Sequence, residues 1–245
     1  MLGLGTGITH YNSADAPALE TGNYYLELWL KFNTGITESS NDISAWADQS
    51  GNNNHALQTT ASRQPTLDTN RVKFNVTGDN DERLELESSI LLKQFTVIAS
   101  IEISFKESMG LLGKSSDHTL RFHQGADPDR IDLLLPDTTA EDASMFDLSA
   151  DIPHRTKFIF SMRRAAGPDD NVVVRFDGTD VTDLTAGARN DSDHVNVFTV
   201  DEIGAIDGNL GNWRGYISEL AIFSMALSDA DLTRIENEIS TRTGV

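Results

Sequence analysis

The chain has 245 residues, and its 38 Asp and Glu residues outnumber its 19 Lys and Arg residues, which leaves a formal net charge of −19. This acidity repels the phosphate backbone, so we expect no nucleic-acid partner. Cysteine is absent, which excludes disulfides, thiolate zinc sites and cysteine nucleophiles. No run of about 18 apolar residues occurs, and residues 1–10 lack the pattern of a secretory signal. We therefore expect neither a membrane partner nor secretion through a signal peptide.

An alternation of apolar and polar residues with a period of two dominates the chain. In residues 24–32 it places Leu26, Leu28 and Leu30 on one face and Trp29 on the other. Similar runs predict strands over residues 71–74, 83–87, 95–104, 111–113, 119–123, 131–135, 157–162, 172–176, 195–200 and 216–223. Many short strands separated by turn sequences predict an all-β sandwich or barrel.

Two of these runs have the pattern of a hairpin. Phe158 and Phe160 face one way, and Val174 and Phe176 match them after a turn. The following Asp177-Gly178 favours the positive φ angles of a second tight turn. We expect these four apolar residues to lie in the core with the leucines of residues 24–32.

The end of the chain predicts a single short helix. Ser228 is a suitable N-cap, and Asp231 three residues later approximates a capping box. Leu232, Ile235 and Ile239 form one apolar stripe at helical spacing. Gly244 is suited to the C-terminal stop.

Two stretches carry a resemblance to a known family. Residues 46–56, WADQSGNNNHA, match the pattern W-x-D-x-S-G-N-x-N-x-A, and residues 215–231 match a late G-x-I-x-E strand followed by A-L-S-x-A-E, with Asp231 in place of Glu. Together they resemble the concanavalin A-like lectin/glucanase superfamily, in its laminin G-like branch. The resemblance implies a two-sheet antiparallel jelly-roll sandwich over residues 21–245, preceded by an extended arm at residues 1–20.

Residues 46–56 allow a structural and a functional interpretation. Asp48 and Ser50 can cap the backbone N–H groups of a tight turn, and the asparagines tolerate left-handed backbone. The alternative is that Asp48, Asn52 and Asn54 line a glycan site. We favour the turn.

The resemblance includes glucanases, whose Glu-x-Asp-x-x-Glu strand projects an acid and a nucleophile from one face. The nearest match, Glu85-Leu-Glu87, lies on the solvated side of a predicted strand, and Asp201-Glu202 has no partner at the required offset. The six histidines form none of the spacings of a transition-metal site. We therefore expect the chain not to be an enzyme and to require no cofactor, with calcium as the one alternative.

The resemblance also implies loop sites for ligands. Laminin G-like domains often hold calcium at a sandwich rim, and Asp79 and Asp81 offer suitable oxygen ligands, although a solvated acidic turn is the favoured alternative. Lectins of the superfamily combine an aromatic platform with Asp and Asn side chains, and the matching glycan-site residues are Asp117, His118, Asp207, Asn209, Asn212 and Trp213. The alternative, which we favour, is that Trp213 starts the late strand and packs inside the sandwich.

A short arm followed by a laminin G-like sandwich resembles virion proteins of tailed, particularly marine, bacteriophages. The resemblance implies a non-enzymatic head, neck or tail component, assembled in the host cytoplasm, with other virion proteins, further copies of itself and a host-surface glycan as partners. In the arm, Leu2, Leu4 and Ile8 alternate with glycine and threonine and suit addition to a neighbouring sheet edge. The alternative functions are a lectin-like module of a cell-surface or extracellular protein and, less favoured, a glycan hydrolase or lyase.

Overall fold

The computed structural model describes most of the chain from residue 25 onwards, namely residues 25–76, 81–115, 118–123, 129–135, 143–165, 172–182, 197–205 and 211–245. Several predicted residues lie outside this part: the arm residues Leu2, Leu4 and Ile8, and the site residues Asp79, Asp117, Asp207 and Asn209. The described residues form seventeen strands and one α-helix. This confirms the predicted all-β class with one C-terminal helix.

In chain order the elements are β1 (Leu26–Leu30), β2 (Ile36–Ser39), β3 (Asp42–Trp46), β4 (Ala56–Leu57), β5 (Thr66–Asp68), β6 (Arg71–Phe74), β7 (Leu84–Leu92), β8 (Phe95–Ile103), β9 (Ser108–Ser115), β10 (His118–His123), β11 (Arg130–Leu134), β12 (Ala143–Asp147), β13 (Lys157–Arg164), β14 (Val172–Phe176), β15 (Thr179–Asp180), β16 (Phe198–Ile203), β17 (Gly215–Phe223) and α1 (Asp229–Thr243). A 3₁₀ turn at Ala61–Arg63 lies between β4 and β5.

The strands are arranged in two antiparallel layers. In the first sheet, β17 pairs with β8 on one edge and with β1 and β6 on the other, and β8 continues through β13 and β14 to β15. The second sheet runs β4, β7, β16, β9, β10, β11, β12. The layers face each other, since the ring centroids of Phe122 on β10 and Phe160 on β13 lie 4.9 Å apart. The predicted jelly-roll sandwich is therefore confirmed.

The expected core residues are buried, but β1 departs from strict alternation. Leu28 and Leu30 pack between the sheets, as predicted. A register shift against β17 between Leu26 and Leu28 turns Leu26 to the outer side of the first sheet, where it joins Trp29. Trp29 is buried there as well, because α1 covers that side.

The helix α1 begins and ends as the sequence predicts. The Ser228 side chain accepts a hydrogen bond from the Asp231 backbone N–H, and Gly244 ends the helix with a left-handed φ of 72°. Leu232, Ile235 and Ile239 pack on the outer face of β8, β13 and β17. A cap of this kind contributes about 1 kcal/mol. Within the described residues, no helix is long and apolar enough to span a bilayer.

The loop at residues 46–56, here called the β3–β4 loop, is tied to β1. Asp48 accepts hydrogen bonds from the backbone N–H groups of Trp29 (2.9 Å), Ser50 (2.8 Å) and Asn54 (3.0 Å) and from the Ser50 hydroxyl (2.7 Å). The side-chain amides of Asn52 and Asn54 donate to backbone carbonyls of β1. The turn interpretation is confirmed, because the polar side chains of this loop hold the strand.

Candidate functional site

The outer face of the second sheet presents polar groups to solvent. The single helix of the described residues packs on the first sheet, so it leaves the outer face of β7, β16 and β9 uncovered. Strand β16 lies between β7 and β9 on this face. We call the part of it around Asp201 the open face.

A break in strand pairing places Asp201 on the open face. Val200 pairs with Ile90, whereas Glu202 pairs with Glu85, so several β7 residues bulge opposite Asp201. Bulges of this kind redirect side chains and are frequent beside functional sites. Asp201 therefore faces a gap in the ladder.

Three polar side chains from distant parts of the chain surround Asp201. The Ser89 hydroxyl donates a hydrogen bond to Asp201 Oδ2 at 3.4 Å, and Lys114 Nζ lies 4.0 Å from the same oxygen. Burial raises the pKa of the Asp201 carboxyl, although Lys114, Ser89 and His118 act in the opposite direction. The carboxylate is thus partly desolvated while a quarter of its side chain remains exposed.

His118, one of the predicted glycan-site residues, is fixed beside this group. Its Nδ1 accepts a hydrogen bond from the Thr199 backbone N–H at 3.0 Å. Because Nδ1 is an acceptor here, the neutral ring carries its proton on Nε2, and that N–H is a donor. The strand pairing therefore sets the orientation of the imidazole.

Leu91 adds an apolar surface to the open face. Its side chain is 67% exposed, lies two residues after Ser89 and pairs with Thr199 on β16. Small-molecule sites combine apolar area with a few directed polar groups. Leu91, Asp201, Lys114, Ser89 and His118 together provide that combination, with acceptor, donor and hydroxyl chemistry suited to a polyhydroxyl ligand.

A network of ion pairs borders the open face. Arg83 contacts Asp81 at 2.7 Å, Glu85 at 3.2 Å and Glu202 at 3.6 Å. Glu85 and Glu202 are direct partners in the β7–β16 ladder. The nearest carboxylate to Glu202 in the ladder therefore lies on the neighbouring strand and not at the offset along one strand that a glucanase requires.

Asp81, one of the two predicted calcium ligands, takes part in this network. Its Oδ2 lies 2.7 Å from Arg83 and 3.1 Å from Arg63. Two guanidinium groups thus neutralise this carboxylate through one of its two oxygens. In the described ranges, no cluster of three His, Cys, Asp or Glu side chains is arranged to hold a metal ion.

The other described residues of the predicted glycan site are separated from His118. Trp213 is completely buried, and its ring meets Phe122 at 5.4 Å between centroids. Phe122 is four residues beyond His118 on β10, which corresponds to about 13 Å along the strand. The alternative that Trp213 packs inside is confirmed, so its ring is no platform for a sugar. Asn212, its neighbour, is half-buried.

Sequence reasoning missed most of the open face. Ser89 and Asp201 are 112 positions apart, and only the β7–β16 register brings them together. The sequence held one usable signal, the exposed Leu91 in a strand whose other leucines are buried. An apolar residue on a solvated face is a recognised sign of a binding surface.

Several solved structures share the architecture of this chain. Trypanosoma rangeli sialidase in complex with 2,3-difluorosialic acid matches with a TM-score of 0.57 and 15% identity, over 93% of this chain and 34% of the sialidase chain. The ligand binding domain of botulinum neurotoxin serotype D, in complex with N-acetylneuraminic acid, matches with a TM-score of 0.55 and 15% identity, over 87% of this chain and 51% of that one. The shared fold is a two-sheet jelly roll.

A heptameric SAP-like pentraxin from Limulus polyphemus has the same type of fold. It matches with a TM-score of 0.52 and 14% identity, over 68% of this chain and 81% of the pentraxin chain. No protein-family model matches the chain, and no curated protein matches its sequence. At such low identity the structural likeness establishes the fold alone.

The sialidase matches correct the expectation that the chain is not an enzyme. That expectation rested on missing sequence motifs, namely a glucanase carboxylate strand and histidines at metal-ligand spacing, whereas the same fold occurs within chains that are sialidases. The chain spans 34% of the length of the sialidase that it matches. A missing Glu-x-Asp-x-x-Glu strand is therefore no ground for excluding catalysis.

Proposed function

We propose that this chain is a carbohydrate-binding module and that the open face binds the sugar. The observation that carries the proposal is the grouping of Asp201, Ser89, Lys114 and His118 around exposed Leu91 on the sheet that the helix leaves uncovered. Carboxylate and imidazole groups bond sugar hydroxyls, and the leucine packs against the C–H face of a sugar ring. The lectin-like fold supports this assignment.

We propose neutral glycans as the ligand class. The toxin domain and one sialidase structure hold N-acetylneuraminic acid or sialic acid, but an anionic sugar would meet a chain of net charge −19. On the open face it would also meet Asp201 beside the carboxylates of Glu85 and Glu202. Like charges across an interface oppose binding, so hydroxyl-rich neutral sugars fit better than sialylated ones.

A glycan array followed by calorimetry tests this proposal. We expect hits among neutral glycans, and we expect Asp201→Asn to weaken the best hit by about tenfold or more, since one hydrogen bond to a charged group contributes about 1.5–3 kcal/mol. The control is Glu238→Gln on α1, which removes one negative charge from the opposite side of the sandwich. An array without hits, or equal affinity in both variants, would refute the assignment.

We further propose that the module is a surface component of a tailed-phage particle. The support is the laminin G-like resemblance of the β3–β4 loop and the late strand, together with a net charge of −19 that keeps the module away from packaged DNA. Mass spectrometry of purified particles is the test. We expect the protein at a fixed copy number per particle, and its absence from particles would remove this role.

A further inference from the structure

A cavity of about 220 Å³ lies between α1, β13 and the turn that joins β14 to β15. Its walls include Ile159 of β13, the turn residues Asp177 and Gly178, and Asn237 of the helix. We call it the helix cavity. It lies on the outer side of the first sheet, opposite to the open face. Its volume equals that of about seven water molecules, which is close to the volume of one hexose ring.

Three uncharged polar side chains of α1 face this cavity. Thr233, Asn237 and Ser240 are spaced by four and three residues, so they share one side of the helix. A different side of α1 is charged, since Arg234 pairs there with Glu238 at 2.6 Å. In a chain with 23% charged residues, a neutral polar wall suits a ligand that is uncharged and forms hydrogen bonds.

The hydrogen bonds within the protein leave these side chains with donors and acceptors for a ligand. Thr233 Oγ1 accepts from Arg175 Nη1 at 3.2 Å, so its own hydroxyl proton is available to a ligand. Ser240 Oγ donates to the Val245 carbonyl at 2.9 Å, so its lone pairs are available. The exposed Asn237 amide offers both kinds of group. A sugar hydroxyl, which both donates and accepts, matches such a wall.

Among the described residues that line the cavity, Asp177 supplies the carboxylate that a ligand can reach. Its side chain is exposed, and its Oδ1 accepts from the Ile159 backbone N–H at 2.8 Å, which leaves Oδ2 for a ligand. Glu236 also lines the cavity, but it is only 4% exposed and forms an ion pair with Arg175, so it takes no part. No Lys or Arg of the described residues lines the cavity, which disfavours an anionic ligand.

The Asp177-Gly178 turn leaves the wall opposite the helix open. Both residues have positive φ angles, 49° and 75°, as a tight hairpin turn between right-twisted strands requires. Apart from its chain neighbours, only Glu236 Oε2, at 3.7 Å, would lie within 4 Å of a Cβ atom built at Gly178. The space beside the turn is therefore available, and Gly178 and Ile159 offer apolar contacts to the C–H groups of a ring.

We propose that the helix cavity is a second sugar site, which holds a single neutral hexose unit of a glycan. Asp177 and Ser240 accept hydrogen bonds from ring hydroxyls, and Asn237 and Thr233 donate to them. A small apolar area with a few directed polar groups is the composition of a small-molecule site. The class of ligand rests on the proposed function, whereas the location and the residues do not. Sites on opposite sides of the sandwich would let one chain link two glycans.

The probes for this proposal are methyl α-glucoside, methyl α-mannoside and methyl β-galactoside, with cyclohexanol as a ring of similar size that has one hydroxyl. In NMR titrations of the ¹⁵N-labelled chain we expect saturable shifts of the Gly178 and Asn237 amides with at least one glycoside and none with cyclohexanol. The amides of Ser89 and Asp201 report the open face in the same spectra, so either site can fail without the other.

Asp177→Asn is the main variant. It keeps an oxygen for the Ile159 N–H and a residue type that tolerates the φ angle of 49°. It removes the charge that makes a hydrogen bond roughly twice as strong, so we expect the affinity for the glycoside to fall about fivefold or more. Glu238→Gln, on the charged side of α1, is the matched control and should leave the affinity unchanged.

A second variant, Asn237→Ala, removes the amide from the exposed side of the helix without loss of helix propensity. It should also weaken the glycoside, with the Gly178 amide as the probe, and thermal unfolding of each variant checks that the fold is intact. The proposal is overturned if none of the three glycosides gives a saturable shift at Gly178 and Asn237, if Asp177→Asn binds as well as the unmodified chain, or if cyclohexanol binds equally.

Discussion

The β3–β4 loop and the open face contain similar polar residues but direct them differently. In the loop, the carboxylate of Asp48 accepts four hydrogen bonds from groups of the protein itself. On the open face, Asp201 has one hydroxyl donor and one distant lysine among the described residues, and part of its side chain reaches solvent. Where hydrogen bonds from the protein occupy the carboxylate, as at Asp48, the residue stabilises the loop. Where they occupy it only in part, as at Asp201, the carboxylate remains available to a ligand.

Removing the Asp48 carboxylate should have the largest effect on stability. Asp48→Ala leaves three backbone N–H groups and the Ser50 hydroxyl without their acceptor, and we expect a loss of about 3–5 kcal/mol. Equilibrium unfolding in urea measures it. Gln49→Ala, in the same loop but with an exposed side chain, should cost less than about 1 kcal/mol. Similar losses of unfolding free energy in the two variants would show that the hydrogen bonds of Asp48 do not hold the loop to β1.

A smaller loss of stability is expected from a variant that tests whether Trp213 takes part in sugar binding. Trp213→Phe retains an aromatic ring against Phe122 and removes an indole N–H that has no hydrogen-bond partner within the described residues. We expect a loss of about 1–3 kcal/mol of unfolding free energy, because the smaller ring leaves a cavity in the core, and no change in glycan affinity by calorimetry. A loss of glycan affinity with an unchanged melting temperature would show that Trp213 takes part in sugar binding.

The smallest expected effect concerns pH. The pKa of Asp201 is raised above its ordinary 3.8 by burial, so the folded state holds this proton more tightly than the unfolded state. The resulting stabilisation is fully present below pH 3.8 and is lost as the pH rises through the raised pKa.

The test of this pH dependence compares melting temperatures across that range. As the pH rises, the melting temperature of Asp201→Asn should fall less than that of the unmodified chain. The difference between the two falls should stay below about 2 °C, because solvent screens the partly exposed group. The exposed Asp151→Asn is the control. Parallel pH profiles for Asp201→Asn and the unmodified chain would contradict the assigned environment.

The fold was largely predictable because alternation and capping are local properties. The period of two located β8, β10, β13, β14 and β17 closely, and Ser228 and Gly244 marked the ends of α1. Leu26 was assigned to the wrong face because a register shift against β17 cannot be seen in one strand. The end of β16 was missed because Asp201 and Glu202 interrupt the apolar pattern. Their partners lie elsewhere in the chain, Lys114 on β9 and Arg83 directly before β7.

The candidate site was far less predictable than the fold. His118 was chosen for a presumed neighbourhood with Trp213, whereas the structure places it beside Asp201 through the Thr199 amide. Contacts of this kind depend on pairing between β7, β9, β10 and β16, which no local pattern specifies. Motif spacing can find residues that share one strand, but it cannot find a site assembled across four.

The central claim is that the open face, and not the β3–β4 loop, binds a neutral sugar. The most direct test is an NMR titration of the ¹⁵N-labelled chain with the strongest neutral hit from the glycan array. We predict saturable shifts at the amides of Ser89, Leu91, Lys114, His118 and Asp201, with the amides of residues 46–56 unmoved. Shifts confined to residues 46–56, or to any surface that excludes Asp201, would contradict the account.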